Sequence, residues 1–310
     1  MKKPLIAVVG ATASGKTALA VKIAQKYNGE VVSADSMQIY KGMNIATAKP
    51  DIEEMDGITH HLIDFLEPTE TFSVSQYVEL ANKAIDDILS RNKIPVLCGG
   101  TGLYVRSLVE NIKFTEQPVD EALREELQRR YQTEGGEVLL KELAVFDPET
   151  AKSLHPSNSK RIIRAIEIYR TTGITMSEQV RNSKNIPSPF DLTAIGITYQ
   201  DRQILYDRIN KRVDILLKNG LLDETREFYG NNVGQTAVGA IGYKELKPYL
   251  DGEMTLEQAV EHLKQETRRY AKRQITWFKK DSYINWIYAD KCKDVFEEAE
   301  KILSYRFTNL

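Results

Sequence analysis

The sequence has little cysteine, little histidine and almost no net charge. Its 310 residues hold two cysteines, Cys98 and Cys292, which give no disulfide framework and no zinc spacing. Cys98 lies in an apolar run and reads as a small core residue. Of the four histidines only His60 and His61 are adjacent, and no matching carboxylate pair stands at ligand spacing, so a metal centre there is not expected. The formal net charge is −2, so any signal for a nucleic-acid partner must be local. No apolar run is long enough to span a bilayer. Met1-Lys2-Lys3 precedes an apolar stretch that is too short for a secretory signal and leads straight into a glycine-rich loop. There is no repeat and no low-complexity segment. The expectation is a monomer in a reduced, cytoplasmic setting without membrane association.

What is present starts with that loop. Gly10-Ala11-Thr12-Ala13-Ser14-Gly15-Lys16-Thr17 fits the phosphate-binding pattern G-x-x-x-x-G-K-S/T at every fixed position. Leu5 to Val9 before it reads as a buried strand, and Ala18 to Ala24 after it as a helix. The glycines let backbone N–H groups converge on phosphate oxygens, and the helix N-terminus adds positive potential. Lys16 can reach the outer phosphate. Thr17 can place its hydroxyl on Mg²⁺. The loop predicts a diphosphate or triphosphate ligand without saying which.

The first third alternates strands and helices. Glu30 to Ala34 reads as a second strand, His61 to Asp64 as a third and Ile94 to Cys98 as a fourth. Thr71 to Arg91 carries apolar residues at spacings of three and four, a helical pattern. Strands apolar throughout, with intervening helices, imply an α/β fold whose parallel sheet is covered on both faces. From 116 to 189 the chain turns helical and charged, with segments at Asp120 to Arg130, Glu137 to Phe146, from Asp147-Pro148-Glu149, and Lys160 to Arg170, whose inner face holds Ile162, Ile163 and Ile166. A connector at Ile186 to Phe190 leads to a fifth strand, Leu192 to Thr198, and a helix behind Gln200-Asp201. The layout is a P-loop core over 1–115 and 190–310 with a helical insertion over 116–189.

Asp35 follows the second strand, in Ser33-Ala34-Asp35-Ser36-Met37-Gln38. Strand C-terminal ends open onto the ligand crevice of such sheets. Three readings of Asp35 stand: an outer-sphere Mg²⁺ ligand, a general base on an acceptor, or a cap on the following turn. After the fourth strand a usual ATPase carries an aspartate. Here Cys98-Gly99-Gly100-Thr101-Gly102 stands instead, which suits the close approach of a flat substrate or, more plainly, a glycine turn with a capping threonine. Lys160, Arg161 and Arg164 place cations at helical spacing, and Arg124 adds another in the insertion. Near the C-terminus Arg268, Lys272 and Arg273 lie among Tyr270, Trp277 and Phe278. Basic residues with aromatic neighbours fit phosphate-backbone binding, or form an ordinary solvated face. The tryptophan and phenylalanine read as core.

These segments, together with Thr47-Ala48-Lys49-Pro50, His60 to Asp64, Gly99 to Tyr104, Ala240 to Lys244 and Thr267 to Trp277, stand in an order that resembles the bacterial tRNA dimethylallyltransferases, also called tRNA isopentenyltransferases. The resemblance spans nearly the whole chain. It implies that the loop holds dimethylallyl diphosphate and that the prenyl group passes to the exocyclic 6-amino group of the adenine just 3′ of the anticodon in tRNA. It implies Asp35 as the general base, Thr101 as a second catalytic-site residue that touches the substrate adenosine, Arg124 as another tRNA contact, and Asp35 to Gln38 as the lining of the base pocket. Lys160-Arg161-Ile162-Ile163-Arg164 is similar to a tRNA-contact segment that often begins with Gln. Three other activities fit parts of the pattern: a small-molecule or nucleoside kinase, a prenyltransferase acting on free adenine nucleotides, and a nucleotide-dependent RNA-binding switch.

Overall fold

The computed structural model describes residues 2–112, 120–184, 186–230 and 233–307. Its sheet has six strands: β1 (Lys3–Gly10), β2 (Gly29–Ser33), β3 (His60–His61), β4 (Ile94–Gly99), β5 (Phe190–Thr198) and β6 (Ile284–Tyr288). The order across the sheet is β3-β2-β4-β1-β5-β6, and every pairing is parallel. β1 is apolar from Leu5 to Val9 and fully buried there. A strand covered on both faces shows no alternation, which is why the run reads as continuous. Its register sets Ile6 beside Val96 on one side and Thr193 on the other.

Two compact units divide the chain. The first comprises Met1–Val109 and Pro189–Leu310; the second is Glu110–Ser188. In the first, the helix Lys16–Lys26 buries Leu19, Ala20 and Ile23 against Ile6, Val8 and Val96 of the sheet. The helix Val74–Ser90 begins with a capping box between Ser73 and Gln76, which satisfies donors that the first turn leaves open. Behind β5, the helix Arg202–Lys218 is capped by Asp201. A later cluster joins Val213, Leu221, Leu246, Ala259 and Leu263. Its longest helix, Leu256–Phe278, also opens with a capping box, Thr255 with Gln258.

Among the described residues the regular structure of the second unit is helical: Glu121–Glu134, Gly136–Phe146, Pro148–Ser153, Ser159–Thr172 and Met176–Lys184. Leu127, Leu139, Leu143, Ile162 and Ile166 form its core. Asp147 caps the third of these with Pro148 in its first turn, where the missing N–H costs nothing. The expected boundary at 115–116 lies outside the described residues.

Several elements depart from the sequence reading, the unanticipated helices Leu221–Gly230, Tyr243–Leu250 and Val295–Phe307 among them. β3 is two residues long, because Leu62 and Asp64 take positive φ of 61° and 56° and bend the chain out of the sheet. β6 was not anticipated: Ile284 and Ile287 are buried, Trp286 is half-buried and Asn285 and Tyr288 are exposed, so its five residues carry no regular alternation. The helix Met176–Lys184 was also missed; its composition is largely polar. Among the described residues no helix is long and apolar enough to cross a membrane.

Candidate active site

Because the strands are parallel, the ends of β1, β2 and β4 carry the phosphate loop, Asp35 and the glycine turn to one edge of the sheet. A Cβ on Gly10 would stand 2.8 Å from the Ile197 carbonyl and from Ser14 Oγ, so the loop can turn there only without a side chain. Gly15 enters the following helix at φ 97° with no side-chain cap, which leaves the helix N-terminus open to an anion. The loop's other faces are tied down. Arg208 Nε donates to the Ala13 carbonyl at 2.9 Å and the Tyr199 hydroxyl to the Ser14 carbonyl at 3.3 Å. The Thr12 N–H donates to Gln274 Oε1 at 2.8 Å. Ser14 Oγ is buried with no hydrogen-bond partner among the described residues, a donor left over inside the loop.

Beside the loop lies a cavity of about 290 Å³. Thr12, Lys16 and Thr17 form its phosphate end, and Asp35, Ser36 and Gln38 face the same space. One part of its remaining wall is apolar, with Ile209, Val213, Leu216, Ile241 and Leu263. Four cationic side chains (Lys16, Arg212, Lys244 and Arg273) and one carboxylate, Asp35, line it. Burial pushes Lys16 below the ordinary lysine range, with Arg212 adding to the effect and Asp35 opposing it. Burial likewise lowers Arg212, against the pull of Glu54 and Asp35. Gathered cations in a partly desolvated pocket call for a polyanion. Burial also pushes the Cys98 thiol up to about 11, which leaves it a neutral core group behind the loop.

Asp35 does two things. Its Oδ1 accepts the Met37 N–H at 2.9 Å and the Gln38 N–H at 3.4 Å, so it caps the turn, and the same side chain lines the cavity. Thr101 stands one layer back. Its Oγ1 accepts the Ser36 N–H at 3.0 Å, and Ser36, rather than Thr101, lines the cavity. The expectation that the glycines near Thr101 admit a flat ligand needs correcting. A Cβ on Gly99 would meet the Ala34 carbonyl at 2.2 Å, one on Gly100 Gln274 Nε2 at 2.2 Å, and one on Gly102 the Trp277 ring at 2.2 Å. These glycines make room for the protein's own groups. Trp277 and Phe278 are packed as core residues should be: Phe278 is fully buried and Trp277 lies between Gly102 and the Arg106 guanidinium.

The wall opposite the loop is held by side chains. Glu224 Oε2 accepts the N–H groups of Asn44 and Ile45 at 3.0 and 2.7 Å, and its Oε1 accepts that of Ala46 at 2.9 Å and the Tyr243 hydroxyl at 2.8 Å. Gln38 Nε2 donates to the carbonyls of Thr47 and Ala48 at 3.3 and 3.1 Å. Three N–H groups and two carbonyls of the 44–48 segment are thus bound by side chains, which fixes its path. His61 is bound to Glu30 at 2.7 Å, and no group of three potential metal-ligating side chains occurs among the described residues.

Of the remaining residues singled out from sequence, Arg273 lines the cavity and Lys272 is exposed. Arg268 Nη1 donates to Asn210 at 2.6 Å and so ties two helices. In the second unit Lys160 and Arg161 are exposed, whereas Ile162 and Ile163 are buried in that unit's core. The two isoleucines therefore offer no side chain to a ligand; any contact by this segment runs through its cations.

Sequence reasoning missed Arg208, Arg212, Gln274 and Glu224. Arg208 and Arg212 are four apart on a helix whose buried face holds Leu205, Ile209 and Val213, and that spacing was the available signal. Gln274 sits between Ala271 and Phe278 in an otherwise apolar buried stripe. A polar residue there signals a partner in the core. Nothing local marks Glu224.

A family model described as IPP transferase matches residues 38–281. The tRNA dimethylallyltransferase of Halalkalibacterium halodurans is 47% identical over 287 residues, covering 92% of this chain and 91% of that protein. The one from Acetivibrio thermocellus is 48% identical over 301 residues, covering 96% and 95%. Among solved structures, the full-length tRNA isopentenylpyrophosphate transferase from Bacillus halodurans superposes with a TM-score of 0.74 at 42% identity, over 99% of this chain and 97% of that one. A eukaryotic dimethylallyltransferase acting on tRNA gives a TM-score of 0.81 at 31% identity, over 99% and 79%.

Proposed function

The chain belongs to the IPP transferase family, and from that membership we propose that its cavity holds dimethylallyl diphosphate against the phosphate loop and passes the dimethylallyl group to the exocyclic 6-amino group of the adenosine immediately 3′ of the anticodon in tRNA. It is a prenyltransferase that acts on tRNA. The observation that carries the site assignment is the shared cavity of Lys16, Thr17, Arg212 and Asp35 with an apolar wall behind them.

The chemistry follows from those residues. The adenine amine is a weak nucleophile because its lone pair is delocalised. It attacks the first allylic carbon, the carbon–oxygen bond to diphosphate breaks, and the nitrogen must lose a proton. Asp35 Oδ1 is occupied by the turn, and the carboxylate faces the cavity, where it accepts that proton as general base. Lys16, Arg212 and the helix N-terminus stabilise the negative charge gathering on the departing diphosphate. Ile209, Val213, Leu216 and Leu263 give the five-carbon group an apolar surround. Glu224 and Gln38 keep the facing wall still, so the base enters a formed pocket after leaving its stack.

The donor set fits Mg²⁺ of the kind that is carried in by a diphosphate. The cavity offers the Thr17 hydroxyl, the described residues hold no cage of carboxylates, and Mg²⁺ commonly takes its other ligands from phosphate oxygens and water. When bound, the ion would neutralise the leaving diphosphate.

We assign tRNA gripping to the segment 116–189, through Arg124, Lys160, Arg161 and Arg164, with Arg268, Lys272 and Arg273 contributing from the long helix. The working form is taken as a monomer in the cytoplasm, where tRNA is found. The test is transfer of label. Transfer RNA incubated with Mg²⁺ and dimethylallyl diphosphate labelled in its allyl group becomes labelled, and the Lys16→Ala protein fails to label it. Transfer of the terminal phosphate of ATP to an acceptor, without allyl transfer, would establish the kinase reading instead.

A further inference from the structure

In the second unit one carboxylate is withdrawn from water. Glu167, on the helix Ser159–Thr172, is 1% exposed. Arg124, on the helix Glu121–Glu134, donates Nη2 to Oε1 at 2.8 Å and to Oε2 at 3.1 Å. Arg164, one turn before Glu167, donates Nη1 to Oε2 at 3.0 Å. The two arginines are not buried: each side chain is 43% exposed. Each guanidinium is therefore fixed along one edge by a buried anion and open along another. Lys160 and Arg161, at the start of the same helix, are exposed.

A tie between two helices needs one arginine for one carboxylate. A second guanidinium beside the first adds like-charge repulsion that an outside anion would relieve. The geometry points to Glu167 as a positioning residue that presents Arg124 and Arg164 as fixed donors to a phosphodiester group of the RNA backbone. The N–H groups left after the Glu167 contacts suit phosphate oxygens. Side chains already held lose less freedom on binding. The inference rests on the reading of this unit as tRNA-binding.

Charge and positioning give opposite signs, which makes the inference testable. Glu167→Gln removes a negative charge from a face that meets RNA, so a field effect alone tightens binding. Positioning predicts the reverse, because the amide turns a donor group toward the guanidiniums and releases them. The experiment measures tRNA affinity of the full chain across a salt series. The proteins are wild type, Glu167→Gln, Arg124→Gln, and the Arg124→Gln/Arg164→Gln pair with and without Glu167→Gln. The expected result is about three- to tenfold weaker binding for Glu167→Gln, the scale of one net hydrogen bond, and no further loss when both arginines are already gone. Unchanged or tighter binding by Glu167→Gln, with Arg124→Gln still weakened, overturns the positioning role and leaves the tRNA reading standing. A loss that persists without the arginines marks a packing defect and also overturns it. Arginine variants that bind tRNA as wild type does overturn the underlying reading itself.

Discussion

Gln274 accepts the backbone N–H of Thr12 at 2.8 Å. Its other amide atom donates to the Gly100 carbonyl at 3.0 Å, so one buried side chain joins the phosphate loop to the turn after β4. Gln274→Ala would leave a buried donor and a buried acceptor unpaired. The expected cost is about 1–3 kcal/mol of stability, read as a lower urea midpoint at unchanged slope. A midpoint equal to wild type would mean that water or relaxation replaces both bonds.

The two roles of Asp35 can be separated by comparing Asp35→Asn with Asp35→Ala. Asparagine keeps an Oδ1 acceptor for Met37 and Gln38 but is no base. Both variants should lower single-turnover transfer by roughly a hundredfold to ten-thousandfold, the usual worth of general base catalysis. Mg²⁺-dependent affinity for dimethylallyl diphosphate should stay near wild type in Asp35→Asn, since the lost interaction belongs to the transition state. If that affinity falls with the rate and excess Mg²⁺ restores both, Asp35 serves the metal.

Lys16 and Arg212 should both matter at the leaving group, because they are the cations that burial most disfavours in the cavity. Replacing either with alanine should cost about a hundredfold or more in transfer rate, the scale of losing one preorganised donor. An Arg212→Ala enzyme with wild-type turnover would reduce Arg212 to a loop support through Thr12, to which it donates at 3.4 Å.

Away from the site, Glu30 makes a pH prediction. The Arg91 guanidinium, despite burial and with help from Lys93 and His61, holds its carboxyl well below the usual range. A depressed folded-state value means the stabilisation is complete above the unfolded carboxylate pKa of about 4.3. It is lost as pH falls from there toward the folded-state value. Urea midpoints measured from about pH 7 to about pH 3 should therefore fall less steeply for Glu30→Gln than for wild type. Equal slopes would show that the cluster carries no linkage.

The sheet and the phosphate loop were legible because both are written locally. Leu5 to Val9 is apolar without interruption, and the loop's glycines and lysine have fixed spacing. Asp35 was legible in position but not in role, since a turn cap and a pocket carboxylate look alike in sequence. Arg208, Arg212, Gln274 and Glu224 were hidden because they bind groups far along the chain; Arg212 meets Thr12 and Glu224 meets Asn44 to Ala46, each across some 180 to 200 residues. The glycines after β4 misled for the same reason. Their neighbours, Ala34, Gln274 and Trp277, arrive from β2 and the long C-terminal helix. Burial of Ile162 and Ile163 was readable from the helical period, and the pairing of Arg124 and Arg164 on Glu167 was not.

The most direct test of the account is the mass of the modified nucleoside. Unmodified tRNA is incubated with the protein, Mg²⁺ and dimethylallyl diphosphate, digested to nucleosides, and analysed by mass spectrometry beside a digest that maps the modified position. The account predicts adenosine carrying one five-carbon prenyl unit, located immediately 3′ of the anticodon, with diphosphate released in equal amount. Prenylation of free adenine nucleotides with tRNA left unmodified, or ATP-dependent tRNA binding with no prenylated product, would contradict it.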